Sequence, residues 1–354
     1  MKKHNGIISL WKFLFCLVVA VHHATMAFSA SGGKTKHPLF TLGAIAVEFF
    51  FITAGWLMAK KAIENKTEQG EIGKETAKYI FRKVKRFLPY FILAYLIALS
   101  VFAAINNYSI SEIVSSLWNL SFLQMSGIKF ANVLKPAWFI SAMLIGMAVL
   151  YPLLLKFKKN FAYIGGLILV PLIYGFLFYS YGTVFVIYQH DTGIYAGVLR
   201  AIAGLTLGVV SYLWSQRIMG KKWTKAGKRA LTLAGILGFL AVVISAMLCK
   251  KDFSYLQLPV LFMAITVAFS GQTLGLKKLS NGFVFFLEKL SLPLYLVHYT
   301  VAVLIAHIWD LDYKMMLILT MIISVAVSLL VYILAKGLTK LSDRVRLGGL
   351  LVKV

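Results

Sequence analysis

Long apolar blocks separated by short polar breaks run through this chain from end to end. The blocks are about 20 residues each, the length a helix needs to cross the hydrocarbon layer of a bilayer. They predict ten spans, at 7–29, 39–59, 87–106, 136–155, 161–180, 194–214, 230–248, 255–275, 290–309 and 315–335. Two stretches between them read differently. Residues 110–126, ISEIVSSLWNLSFLQMS, carry one apolar face and are expected to lie along the outer membrane surface. Residues 60–80 mix lysine with glutamate and read as a solvated helix on the inner side. The implied fold class is all-α, a polytopic transmembrane bundle of about ten spans forming one integral membrane domain over 1–354. With no repeat and no recognisable soluble catalytic domain, any chemistry is expected inside the bundle.

Composition sharpens this picture. Hydrophobic residues make up 60% of the chain and the mean hydropathy is +0.82, against about 45–50% apolar residues in soluble domains. A net charge of +25 would point to nucleic acid in a soluble protein. Here its distribution argues for topology instead. With the N-terminus inside, 27 lysines and arginines fall on inner segments and seven on outer ones. That is the bias that keeps basic loops in the cytoplasm, and it predicts both termini inside, membrane lipids as partners and no nucleic acid. Lys2 and Lys3 ahead of the first block imitate a secretory signal, but Lys12, His22 and His23 interrupt the block, which also exceeds the usual ~7–15 residues. Cys16 and Cys249 give neither a disulfide framework nor a metal-binding spacing, so no metal is expected.

Ionisable groups within spans are costly and by default mark functional sites. They are Lys12, His22, His23, Glu48, Arg200, Glu288, Lys289 and His298. From Lys12 to His23 is eleven steps, about 1100° of helix and within about 20° of three turns, so the two share a face about 16 Å apart along the axis. His22 points elsewhere. Such a stripe suits a buried groove. Glu48, on the returning second span, falls at a depth similar to His23, and the two can pair. A carboxylate beside an imidazole serves general-base catalysis, or it staples two helices. Arg82, Lys83, Lys85 and Arg86 make a dense cationic cluster at the inner surface, with Pro89 in the first turn of the third span. The cluster suits the phosphates of a soluble donor, or anionic lipid. Trp138 is placed at the outer interface, and His298, five residues beyond Pro293, either packs helices or takes part directly.

These residues together resemble the acyltransferase-3 family of ten-helix membrane enzymes that O-acetylate bacterial surface sugars. In that family the first helix carries a basic residue, ten residues and a histidine, which Lys12 and His23 match. AVEFFFITAGWLM (46–58), RKVKRFLP (82–89), WFIS (138–141) and SLPLYLVH (291–298) match further blocks in the right order. Lysine at position 12 departs from the usual arginine, and Ala54 stands where serine is common. The resemblance implies an O-acyltransferase of the bacterial inner membrane, with acetyl-CoA or another acyl-CoA as donor. Lys12, Arg82, Lys85 and Arg86 would bind the donor. His23, oriented by Glu48, would be the base or a transient acyl carrier. Trp138, Ser141, Arg200 and His298 would line the side that receives a polysaccharide or lipid-linked glycan. The competing reading is a proton-coupled transporter or flippase of such a glycan, because the same ionisable groups also build proton relays.

Overall fold

The computed structural model of the chain describes residues 5–66, 69–191 and 193–351. Lys2, Lys3 and Lys353, counted above on the inner side, lie outside the described residues. The elements are α1 (Gly6–Ala30), α2 (Ile45–Ile63), α3 (Ile72–Asn106), α4 (Ile110–Ser116), α5 (Trp138–Tyr181), α6 (Ala196–Met219), α7 (Lys225–Leu248), α8 (Ser254–Phe269), α9 (Leu276–Leu279), α10 (Gly282–Ile308) and α11 (Tyr313–Leu351). Among the described residues there is no strand, and the all-helical expectation holds. Seven helical segments among the described residues are long and apolar enough to cross a membrane: α1, α3, α5 with its preceding turn, α6, α7, α10 and α11.

Fewer than ten helices meet that length and hydropathy for local reasons. α2 has 19 residues but carries Glu48, Lys60 and Lys61, and α8 has only 16. The expected spans at 136–155 and 161–180 both fall in α5, on either side of a break at Lys158, where φ is 49° and ψ −127°. That break has a partner. Lys158 Nζ donates to Ala62 O at 3.0 Å and Asn65 O at 2.7 Å, satisfying carbonyls that the end of α2 leaves open. The helix expected over 60–80 does not form as one unit: residues 60–63 end α2, and 72–80 belong to α3, which runs unbroken into the span expected from 87, so that Pro89 sits in its interior rather than in a first turn. Residues 72–86 are rich in helix-forming lysine and arginine, and proline removes only one ladder bond, which membrane helices tolerate. Residues 110–126 are helical only to Ser116, then form a tight 3-10 turn over Leu117–Ser121. Ile110, Val114, Leu117 and Trp118 are exposed along this segment.

Close packing sets the relative position of α2 and α6. A Cβ built on Gly55 would lie 2.1 Å from Leu205 O, and one on Gly208 2.2 Å from Ile52 O, so only glycine lets these backbones meet. Deeper in the same interface Trp56 donates to Ser215 Oγ at 2.9 Å and stacks on Phe269 of α8 with ring centroids 3.8 Å apart. α1 and α10 form the second interface that matters, and α1 starts where Asn5 caps it by accepting from the Ile7 and Ile8 N–H groups.

Candidate active site

α1 and α10 run side by side in the same direction, joined by polar contacts at three levels. Lys12 Nζ lies 2.6 Å from Glu288 Oε1, and Ser9 Oγ donates to Glu288 Oε2 at 2.6 Å. Cys16 Sγ approaches Ser291 O at 3.1 Å. At the third level His23 Nδ1 and His298 Nε2 are 3.0 Å apart. The stripe of Lys12 and His23 therefore faces α10, and Lys12 is neutralised by Glu288 rather than standing free in a groove.

The hydrogen-bond network assigns the protons of the two imidazoles. His23 Nδ1 lies 3.1 Å from Val19 O, and His298 Nδ1 lies 3.2 Å from Leu294 O, each one helical turn upstream. A carbonyl only accepts, so both Nδ1 atoms carry hydrogen. His298 Nε2 is then an acceptor, and the hydrogen between the rings belongs to His23. In the neutral state this leaves the lone pair of His23 on Nε2, which no hydrogen bond engages among the described residues. His298 is fully buried and Tyr299 meets the His23 ring edge-on at 5.4 Å, so the orientation is fixed on two sides.

The expected pair of His23 with Glu48 does not form. Glu48 is fully buried in the first turn of α2, where the positive end of the helix dipole favours a carboxylate. Its Oε1 takes the Nε–H of Arg200, and its Oε2 accepts from the Tyr174 hydroxyl at 2.5 Å. Arg200 Nη2 donates to Ala44 O at 2.9 Å. The reason is the α2–α6 approach described above: a Cβ on Gly204, one turn beyond Arg200, would lie 3.0 Å from Glu48 Oε2 and 2.6 Å from Phe51 Cβ. Glu48 thus orients an arginine, and the role of orienting His23 falls to His298.

A cavity of about 650 Å³ joins these two clusters, within the usual range for small-molecule sites. His22, His23, Arg200, Trp138 and Tyr295 line it, as do loop residues on either side, Pro38 and Thr41 after α1 and Phe185 and Ile187 before α6. Trp138 is buried. Its ring lies 5.5 Å from the Arg200 guanidinium carbon, with Phe185 on a further side at 5.4 Å. His22 donates from Nδ1 to Phe40 O at 2.7 Å, pinning a turn in which Phe40 adopts a φ of 56°. Ser141 is fully buried and accepts the Met125 N–H at 3.0 Å, so it anchors the segment before α5.

The cationic cluster lies on α3 towards the other end of the bundle. Arg82, Lys85 and Arg86, at helical spacings of three and four, share an exposed face. Arg82 is held by Glu75 at 2.8 Å. Lys83 turns the other way and lies 5.5 Å over the Tyr79 ring.

Sequence reasoning missed Tyr174, Phe185, Tyr295 and the partnership of Glu288 with Lys12. Opposite charges buried at matching depth were the available signal for both ion pairs; no comparable signal marks the aromatic residues. No curated protein and no solved structure matches this chain. The family described as "Acyltransferase domain" matches residues 5–335, nearly the whole length. An all-helical bundle with an imidazole pair and a buried arginine around one cavity is thus set within that match, and the chain belongs to the acyltransferase-3 family.

Proposed function

We propose that this membrane acyltransferase moves an acyl group, acetyl in the simplest case, from acyl-CoA to a hydroxyl of a polysaccharide or lipid-linked glycan. The observation that carries the reading is the lone pair of His23 Nε2 beside a cavity it shares with Arg200. A neutral imidazole whose far nitrogen is tied to an acceptor is ready to take a hydroxyl proton. The acceptor oxygen attacks the thioester carbon while His23 Nε2 takes its proton. The C–S bond then breaks, and the thiolate of CoA recovers that proton. Positive charge that gathers on His23 in between is shared through Nδ1–H with His298 Nε2.

The reading places the protein in the bacterial cytoplasmic membrane with ten crossings and both termini inside. α2 and α8 then count as crossings and α5 crosses twice, turning at Lys158. Arg82, Lys85 and Arg86 face the cytoplasm in this arrangement and receive the donor's phosphates, with Lys12 on the route between them and His23. The cavity between the loops at 38–41 and 185–187 faces the acceptor.

Proteoliposomes containing native membrane lipid extract and radiolabelled acetyl-CoA provide the test. Wild type is expected to release CoA and label a glycan-bearing fraction, and His23→Ala to lower that rate by about 10²–10⁴-fold while still inserting. Full activity in His23→Ala, or counterflow of an unmodified glycan with no acyl transfer, would sink the proposal.

A further inference from the structure

Arg200 has more donors than the protein uses. Nε serves Glu48 and Nη2 serves Ala44 O, but Nη1 has no partner among the described residues although the residue is fully buried. A helix staple leaves no reason for this. A buried N–H without an acceptor is costly, and native interiors keep very few of them. Trp138 and Phe185 lie on the guanidinium at 5.5 and 5.4 Å, and both belong to the same cavity wall as Arg200. The unused donors therefore sit in an aromatic surround at the edge of the cavity that His23 opens on.

The charge balance says what kind of group they suit. Arg200 and Glu48 form a closed ion pair, with the Tyr174 hydroxyl on the second carboxylate oxygen. A ligand carrying a full negative charge finds the guanidinium already compensated. A neutral carbonyl that gains charge during reaction finds two oriented N–H groups and little water, the condition under which such donors act most strongly.

We infer that Arg200 is a catalytic residue, its Nη1 donating to the thioester carbonyl oxygen and stabilising the oxyanion of acyl transfer. This rests on the acyltransferase reading above. As the acceptor oxygen bonds to the thioester carbon, the carbonyl π pair moves onto its oxygen, where Nη1–H receives it. When the pair returns, the C–S bond breaks, the ester is released and CoA leaves with the proton held by His23. Glu48 and Tyr174 are positioning residues, fixing the plane of the guanidinium from the side opposite the reacting atom.

The test uses the charge-balanced double variant Arg200→Met/Glu48→Gln, because removing one partner of a buried pair alone destabilises strongly. Acetyl-CoA is compared with dithioacetyl-CoA, in which sulfur replaces the carbonyl oxygen and accepts hydrogen bonds poorly. The variant is expected to lose about 10²–10³-fold in kcat with acetyl-CoA, with KM nearly unchanged, and less than about tenfold with the dithioester. Arg200→Lys, which keeps a cation for Glu48, is expected to give the same contrast and serves if the double variant fails to insert. Equal losses with both donors, or a kcat within threefold of wild type, overturn the inference while leaving the acyltransferase reading intact. Wild type that transfers no acyl group overturns both.

Discussion

Gly208→Ala reaches the site from two turns away. The added Cβ would lie 2.2 Å from Ile52 O and 2.8 Å from Gly55 Cα, both backbone atoms of α2 that no rotamer change can move. Restoring an ordinary contact of about 3.4 Å requires α2 and α6 to separate by roughly 1.2 Å at this level. Overpacking of this kind costs about 1–3 kcal/mol. Ile52 is one turn from Glu48 and Gly208 two turns from Arg200, so much of the displacement reaches the ion pair. A misplacement of about 1 Å in a catalytic constellation costs on the order of 10²-fold in rate. Gly208→Ala is therefore expected to lower the melting temperature by several degrees in detergent and to cut CoA release by ten- to hundredfold. Gly175→Ala in α5 is the control, since its Cβ meets nothing within 4 Å and alanine favours the helix. A Gly208→Ala protein with wild-type melting and wild-type kcat would refute the claim that the glycine contact positions Arg200.

Other outcomes follow from single contacts. His298→Phe removes the acceptor of His23 Nδ1–H but leaves Val19 O in place; steady-state kinetics should show about a tenfold or greater loss in kcat, smaller than that of His23→Ala. Lys12→Met takes the Lys12 cation from Glu288, and because the pair is partly exposed it should cost about 1–2 kcal/mol in thermal unfolding, recovered by adding Glu288→Met. A membrane-impermeant maleimide applied from outside should label Cys249 in whole cells and spare the buried Cys16, and labelling of Cys249 only from the inside would reverse the proposed topology.

Much of this was legible before the structure. Block length and hydropathy settled the helical class, and the cost of burying charge singled out His23, Glu48, Arg200 and His298, all of which meet at or beside one cavity. What the sequence could not supply was adjacency. Depth along a span can be counted from its ends, and Glu48 and His23 do lie at similar depth. Which helix stands next to which is decided by contacts such as Gly55 with Leu205 and Gly208 with Ile52, and these leave no periodic trace. The pairing of Glu48 with His23 therefore failed, while the pairing of Glu48 with Arg200 was hidden by a separation of 152 positions. The run 60–80 misled for a different reason: its charges read as a separate solvated helix, although 60–63 end α2 and the register from Ile72 continues unbroken through Pro89.

His23 and His298 are separated by 275 positions, and Lys12 and Glu288 by 276. At translation speeds of about 5–20 residues per second, the first helix waits on the order of 15–55 s for the partner that neutralises and orients it. During that interval the insertion machinery holds a lone lysine that must reach towards the membrane surface, and no competent reaction centre exists. A chain that stops before α10 lacks both of these partners and is expected to transfer no acyl group.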